Sequence, residues 1–114
     1  MPERRRRRRE GVSKRYATID AAWLDFYAED TLAARNSLLL HYAPYVKAVV
    51  SRYLPAAPED LHLMAIGMLA LGRAIDNRPA GALGDFHEEV VSAVSTACRV
   101  AIREAQVARK VPGE

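Results

Sequence analysis

Residues 21–55 read AAWLDFYAEDTLAARNSLLLHYAPYVKAVVSRYLP. Leu32, Leu39, Tyr42, Val46, Val49, Val50 and Tyr53 recur so as to lie on roughly one side of a long helix. Trp23, Phe26 and Tyr27 fall on a shorter helix before it, with Thr18 or Asp20 as its cap. Asp30 then precedes the long segment, as a helix-starting residue would. Pro44 lies inside that segment. It has no N–H to give and its ring crowds the preceding turn, which predicts a kink near residues 40–44. It does not predict a stop, because the periodicity resumes at once. Valine and isoleucine never sustain a strict alternation with polar residues, so strands are poorly supported.

Outward from this stretch, Leu54-Pro55-Ala56-Ala57-Pro58 is a break. Glu59 and Asp60 suit the first turn of a third helix, where the positive end of the macrodipole favours carboxylates. That helix is expected to reach about Ile75, with Leu61, Met64, Ile66, Met68, Leu69 and Leu71 as its apolar residues. Residues 77–84, NRPAGALG, predict a loop. Asp85 is a good cap for the last helix. There Phe86, Val90, Val94, Ala97, Ala101 and Ala105 make a narrow apolar stripe, widened by Val91, Cys98 and Ile102 and ended by Pro112 and Gly113. The expected fold is all-α: a compact bundle of about four helices over residues 16–114, behind a basic arm over residues 1–15.

The whole chain of 114 residues carries a net charge of +3 and suits one domain. The charge is unevenly split. Residues 1–15 hold eight arginines and lysines against two glutamates, a net +6, and the rest of the chain is −3. The arm of Arg4, Arg5, Arg6, Arg7, Arg8, Arg9, Lys14 and Arg15 repels itself and is expected to be solvated and disordered. It suits either phosphate backbones, without sequence preference, or the part of a flexible solubilising tail. The lone Cys98 excludes an internal disulfide framework and a multi-cysteine zinc site. Its place on the apolar stripe marks it as a small buried hydrophobe. No apolar run approaches the roughly 18 residues of a membrane span, and none follows the arginines as a signal peptide would, so a cytoplasmic protein is expected.

Residues that carry chemistry are few. His41, His62 and His87 lie on different segments without a metal-ligand partner at helical spacing. The glycines match neither a dinucleotide fingerprint nor a phosphate loop. Glu59-Asp60 and Glu88-Glu89 read as first-turn charges better than as an acid/base pair. No metal, no cofactor and no enzymatic activity are therefore expected.

The 21–55 segment resembles the start of conserved region two of sigma-70 family RNA polymerase sigma factors, closest to the flagellar and sporulation group. The matching residues are Trp23, Tyr27, Ala34-Arg35, Leu38-Leu39, His41-Tyr42, Pro44, Val46-Lys47, Val49 and Arg52. Further on, Gly67, Ala70-Leu71, Ala74-Ile75 and Asp76 are similar to the family's next helix, and Phe86, Val94 and Ala97 to the one after it. The resemblance covers about residues 20–110. Nothing in the chain resembles the family's later promoter-reading domains. The fold it implies is a region-two-like helical domain.

The resemblance fails where the family melts promoter DNA. Its tyrosine corresponds to Glu89, its aromatic or polar pair to Ser92 and Ala93, and its arginine to Ser95. Strand opening needs aromatic faces for unpaired bases and cations for the strand, whereas Glu89 would repel phosphate. On the helix that docks on polymerase in the family, the acidic residue becomes His62 and polar positions become Ala65 and Ile66. The resemblance therefore implies a degenerate, single-domain sigma-like regulator acting by protein contact. Its candidate contacts are His62, Ala65, Ile66, Arg73, Asp76 and Asn77, and its partner is RNA polymerase core or an anti-sigma-type helical protein. The competing reading of that helix is that Ile66 and Met68 pack inside the domain. Two further readings stand. One is a minimal sigma factor or DNA-binding protein using the arm with Arg99, Arg103, Arg109 and Lys110 on phosphates. The other is an unrelated helical module. Pairing with a second copy is open.

Overall fold

The computed structural model describes residues 16–109, which form four α-helices, one short 3-10 turn and no strand. They are α1 (Ile19–Glu29), α2 (Leu32–Tyr53), the 3-10 turn Leu54–Ala56, α3 (Leu63–Asn77) and α4 (His87–Arg109). The expected all-α bundle of about four helices is what these residues build. The arm over residues 1–15 lies outside the described residues, as do Lys110, Pro112 and Gly113.

The first two helices are separated by one tight joint. The Thr18 hydroxyl accepts from the Ala21 N–H at 3.1 Å and starts α1. Asp30 ends α1 in the left-handed conformation, φ 47°, with its N–H on the Phe26 carbonyl. A short polar side chain tolerates that region better than most. The start of α2 falls to Thr31, whose hydroxyl accepts from the Ala34 N–H at 3.1 Å, and not to Asp30. Helix α2 then runs unbroken through Pro44. The proline cannot donate to the Leu40 carbonyl, but Leu40 and Pro44 are both exposed, so water can serve that carbonyl.

The third helix begins later than its acidic residues suggest. The Leu61 N–H donates to the Pro58 carbonyl at 3.0 Å, which closes a turn around Glu59 and Asp60. Those carboxylates are turn residues, and α3 starts at Leu63 with no side-chain cap from His62. Its buried face also differs from the apolar residues expected for it. Leu63, Gly67, Leu71, Gly72 and Ile75 are buried, whereas Met64 and Leu69 are exposed. A Cβ on Gly67 would lie 2.8 Å from Val46 Cγ1, 2.9 Å from Val50 Cγ2 and 3.3 Å from Val94 Cγ1. A glycine at that position is what lets α3 approach both α2 and α4 closely.

Helix α2 packs against α1, α3 and α4, and α3 packs against α4. The Asp85 carboxylate accepts from the His87 N–H at 2.8 Å at the start of α4. The core stripe of α4 is strictly four-spaced: Phe86, Val90, Val94, Cys98 and Ile102 are buried, and Ala97, Ala101 and Ala105 flank it half-buried. On α2 the buried set is Ala33, Ala34, Leu38, Tyr42, Val46, Val49 and Val50; Leu32 is exposed and Leu39 and Tyr53 are half-buried. Trp23 of α1 is fully buried, donates from Nε1 to the Tyr42 hydroxyl at 2.9 Å, and meets Phe86 edge-on at 5.0 Å between ring centroids.

Candidate functional site

The outward side of α3 carries the candidate docking residues. His62, at its cap, is followed by Ala65, Arg73, Asp76 and Asn77, all exposed. Separations of three, eight and three residues from His62 to Asp76, with Asn77 four beyond Arg73, keep them along one side of the helix. Ile66 is only half-buried and packs against the core, so it is shared between the surface and the interior. Met68 does the same. Sequence reasoning missed the largest apolar group on this side. Leu69 stands four residues from both Ala65 and Arg73 and is 63% exposed. Its spacing to Ala65 is a signal present in the sequence, but reading Leu69 as core hides it.

Charge on this face is partly engaged. Arg35 of α2, half-buried, reaches across to the exposed Asp76, Nη1 to Oδ1 at 2.5 Å. Gly72 lies beneath the Arg35 guanidinium: a Cβ there would be 3.1 Å from Nη2. The α2–α3 seam is thus roofed by an ion pair in water, worth roughly 0–1 kcal/mol. Arg73 has no ion-pair partner among the described residues.

The first half of α4 is a separate surface. Glu88, Glu89, Ser92, Ala93 and Thr96 line a shallow open groove of about 510 Å³. Glu88, Glu89 and Ser92 are exposed, and Ala93 and Ser95 are half-buried. This surface offers carboxylates, hydroxyls and a methyl group, with no aromatic ring for a base to stack on. Arg99, Arg103 and Arg109 lie on the other half of α4. Arg109 meets Asp60 at 3.4 Å, both largely exposed, and Arg99 reaches only the Thr96 hydroxyl at 3.4 Å. The candidate phosphate-binding residues Arg4, Arg5, Arg6, Arg7, Arg8, Arg9, Lys14, Arg15 and Lys110 lie outside the described residues.

The titrating groups of the interior are pushed away from their charged forms. Burial raises the Cys98 thiol above its ordinary range, as suits a small hydrophobe in the core and not a nucleophile. Burial also raises Tyr42, against the opposing effect of the Trp23 hydrogen bond, and raises Tyr27, against the nearby Arg78. His41, His62 and His87 are exposed on different elements, and among the described residues no group of three His, Cys, Asp or Glu could hold a metal ion. No helix among the described residues is long and apolar enough to cross a membrane. No protein family, no curated protein and no solved structure matches this chain.

Proposed function

We propose that this chain is a sigma-like transcription regulator that acts by protein contact through the outward side of α3, without opening promoter DNA itself. Its partner is RNA polymerase core or an anti-sigma-type helical protein. The observation that carries the reading is the pairing of two faces. The α3 side presents Leu69 beside Ala65 and Ile66, with Arg73 one turn on, an apolar anchor edged by a cation as in helix-in-groove recognition. The α4 side, which corresponds in the sigma resemblance to the strand-opening surface, presents Glu88, Glu89, Ser92 and Ala93 instead. Base stacking is worth about 1–3 kcal/mol per base, and this surface has nothing to supply it.

The test is binding of the full chain to purified bacterial RNA polymerase core and to an anti-sigma-type helical protein. Leu69→Glu is expected to weaken the complex more than tenfold while leaving the helical circular dichroism unchanged, because Leu69 is exposed. Binding to neither protein, or binding indifferent to Leu69→Glu, would overturn the proposal. A second reading, a minimal DNA-binding initiation factor, is favoured by Arg99 and Arg103, exposed one turn apart and without carboxylate partners among the described residues. It requires sequence-dependent binding to fork-junction DNA that survives loss of residues 1–15; the first reading requires its absence.

A further inference from the structure

The connection from α3 to α4, residues 78–86, grips α1 at two points. The Arg78 guanidinium carbon lies 4.5 Å from the centre of the Trp23 ring and 4.9 Å from that of Phe86. Its Nη2 donates to the Gly84 carbonyl at 3.3 Å. The Tyr27 hydroxyl donates to the Ala82 carbonyl at 2.7 Å. Otherwise α1 packs chiefly on α2, to which it is joined through Asp30 and Thr31.

Three features make this grip releasable. Arg78 Nη1 is buried with no hydrogen-bond partner among the described residues, so contact with water would satisfy it. Gly81 and Gly84 have φ of 86° and 90°, with nothing within 4 Å of where a Cβ would stand, so at these two points the connection is unhindered by neighbours. Asp30, at φ 47°, is a single left-handed residue between two capped helices, a natural pivot.

We propose that α1 and the 78–86 connection form a latch. The helix swings out about Asp30 as one unit, uncovering Trp23 and Phe86; Arg78 adds to the burial of Trp23 and its hydrogen bond to Tyr42 in holding it shut. The cation lying over both rings supplies part of the closing attraction. The aliphatic contacts among α2, α3 and α4 do not depend on it, so the latch opens below the free energy of global unfolding.

Hydrogen exchange on the full wild-type chain decides the matter. The hydrogen-bonded amides of α1, from Ala22 on, and those of Arg78 and Ala82 are expected to exchange together, at least about tenfold faster than the centres of α2 and α4. Arg78→Ala should speed α1 exchange a further tenfold or so and red-shift the emission of Trp23, the only tryptophan, with α4 protection unchanged. Arg78→Lys, which keeps the charge and loses the planar fork, should fall between. Exchange of α1 at the rate of α2 and α4 in the wild type overturns the latch. So does an Arg78→Ala variant in which all helices lose protection alike. The wild-type pattern stands as a test even where Arg78→Ala fails to fold.

Discussion

At one end of the core Trp23 stacks on Tyr27 at 5.5 Å, meets Phe86 at 5.0 Å, donates to Tyr42 and lies under Arg78. At the other end Val46, Val50 and Val94 close around Gly67, with Leu63, Cys98 and Ile102 buried in the same core. The first end is held by directional contacts among rings, a hydroxyl and a cation. The second is held by shape alone. Directional contacts fail one at a time and allow local opening, whereas a close-packed aliphatic seam yields only as a whole. That contrast bears on function, because Ala65, Ile66 and Leu69 of the proposed docking face flank Gly67 at the rigid end, whereas Asp76 and Asn77 adjoin Arg78 at the aromatic end.

The contrast is broken most severely by Trp23→Ala. The ring is fully buried, and its loss leaves a cavity bordered by Phe86, Tyr42 and Arg78. The expected cost is about 3–5 kcal/mol, a large part of the roughly 5–15 kcal/mol such a domain possesses. Urea unfolding followed by circular dichroism would measure it. A cost below about 1 kcal/mol would mean that the aromatic end contributes little to global stability.

Tyr42→Phe probes the same end more finely. It leaves Trp23 Nε1 buried without its acceptor, at an expected cost of about 1–3 kcal/mol near neutral pH. It also changes the alkaline limb of the stability curve. Burial holds the folded-state pKa of Tyr42 above the ordinary tyrosine value of about 10. The unfolded chain therefore releases its proton first as pH rises. The stability linked to the neutral phenol is fully present below about pH 10 and is lost as pH climbs from there through the folded-state value. Wild-type stability should fall in that window, and Tyr42→Phe should fall less steeply, with Tyr27, Tyr16 and, from about a unit lower, Cys98 still contributing. Equal alkaline slopes in the two proteins would remove Tyr42 from the account.

The two ends are unequally legible in the sequence. The aliphatic end follows from periodicity: Val46, Val49 and Val50 on α2 and Val90 and Val94 on α4 are buried at the spacings that mark them. Helix α3 misleads where its core contacts are glycines, because Gly67 and Gly72 carry no hydrophobic signal while Met64 and Leu69 do. The docking anchor Leu69 is hidden for the same reason. Glu59 and Asp60 look like a helix start because the dipole argument says where carboxylates are favoured, not that a turn at Pro58 takes the backbone first. The role of Arg78 is invisible, since a cation in a glycine-rich loop has no period, and only the fold brings it over Trp23 and Phe86.

The finest test of the aliphatic end compares its two buried glycines. Replacing either by alanine gains up to about 1 kcal/mol of helix propensity in α3. At Gly67 the new methyl would meet Val46 and Val50 at under 3 Å, and these are short, β-branched side chains with one strongly preferred rotamer in a helix. Overpacking of this kind costs about 1–3 kcal/mol, so Gly67→Ala is expected to lose roughly 1–2 kcal/mol net. At Gly72 the methyl would meet only Arg35 Nη2 at 3.1 Å, the far end of a long, half-buried side chain that can shift at the expense of a weak ion pair with Asp76. Gly72→Ala is therefore expected to be neutral or slightly stabilising. Thermal unfolding of the two variants side by side measures the difference. Equal destabilisation would mean that the α2–α3 seam is as closely packed under Arg35 as it is around Gly67, and the rigid end would then extend along the whole length of α3 beneath the docking face.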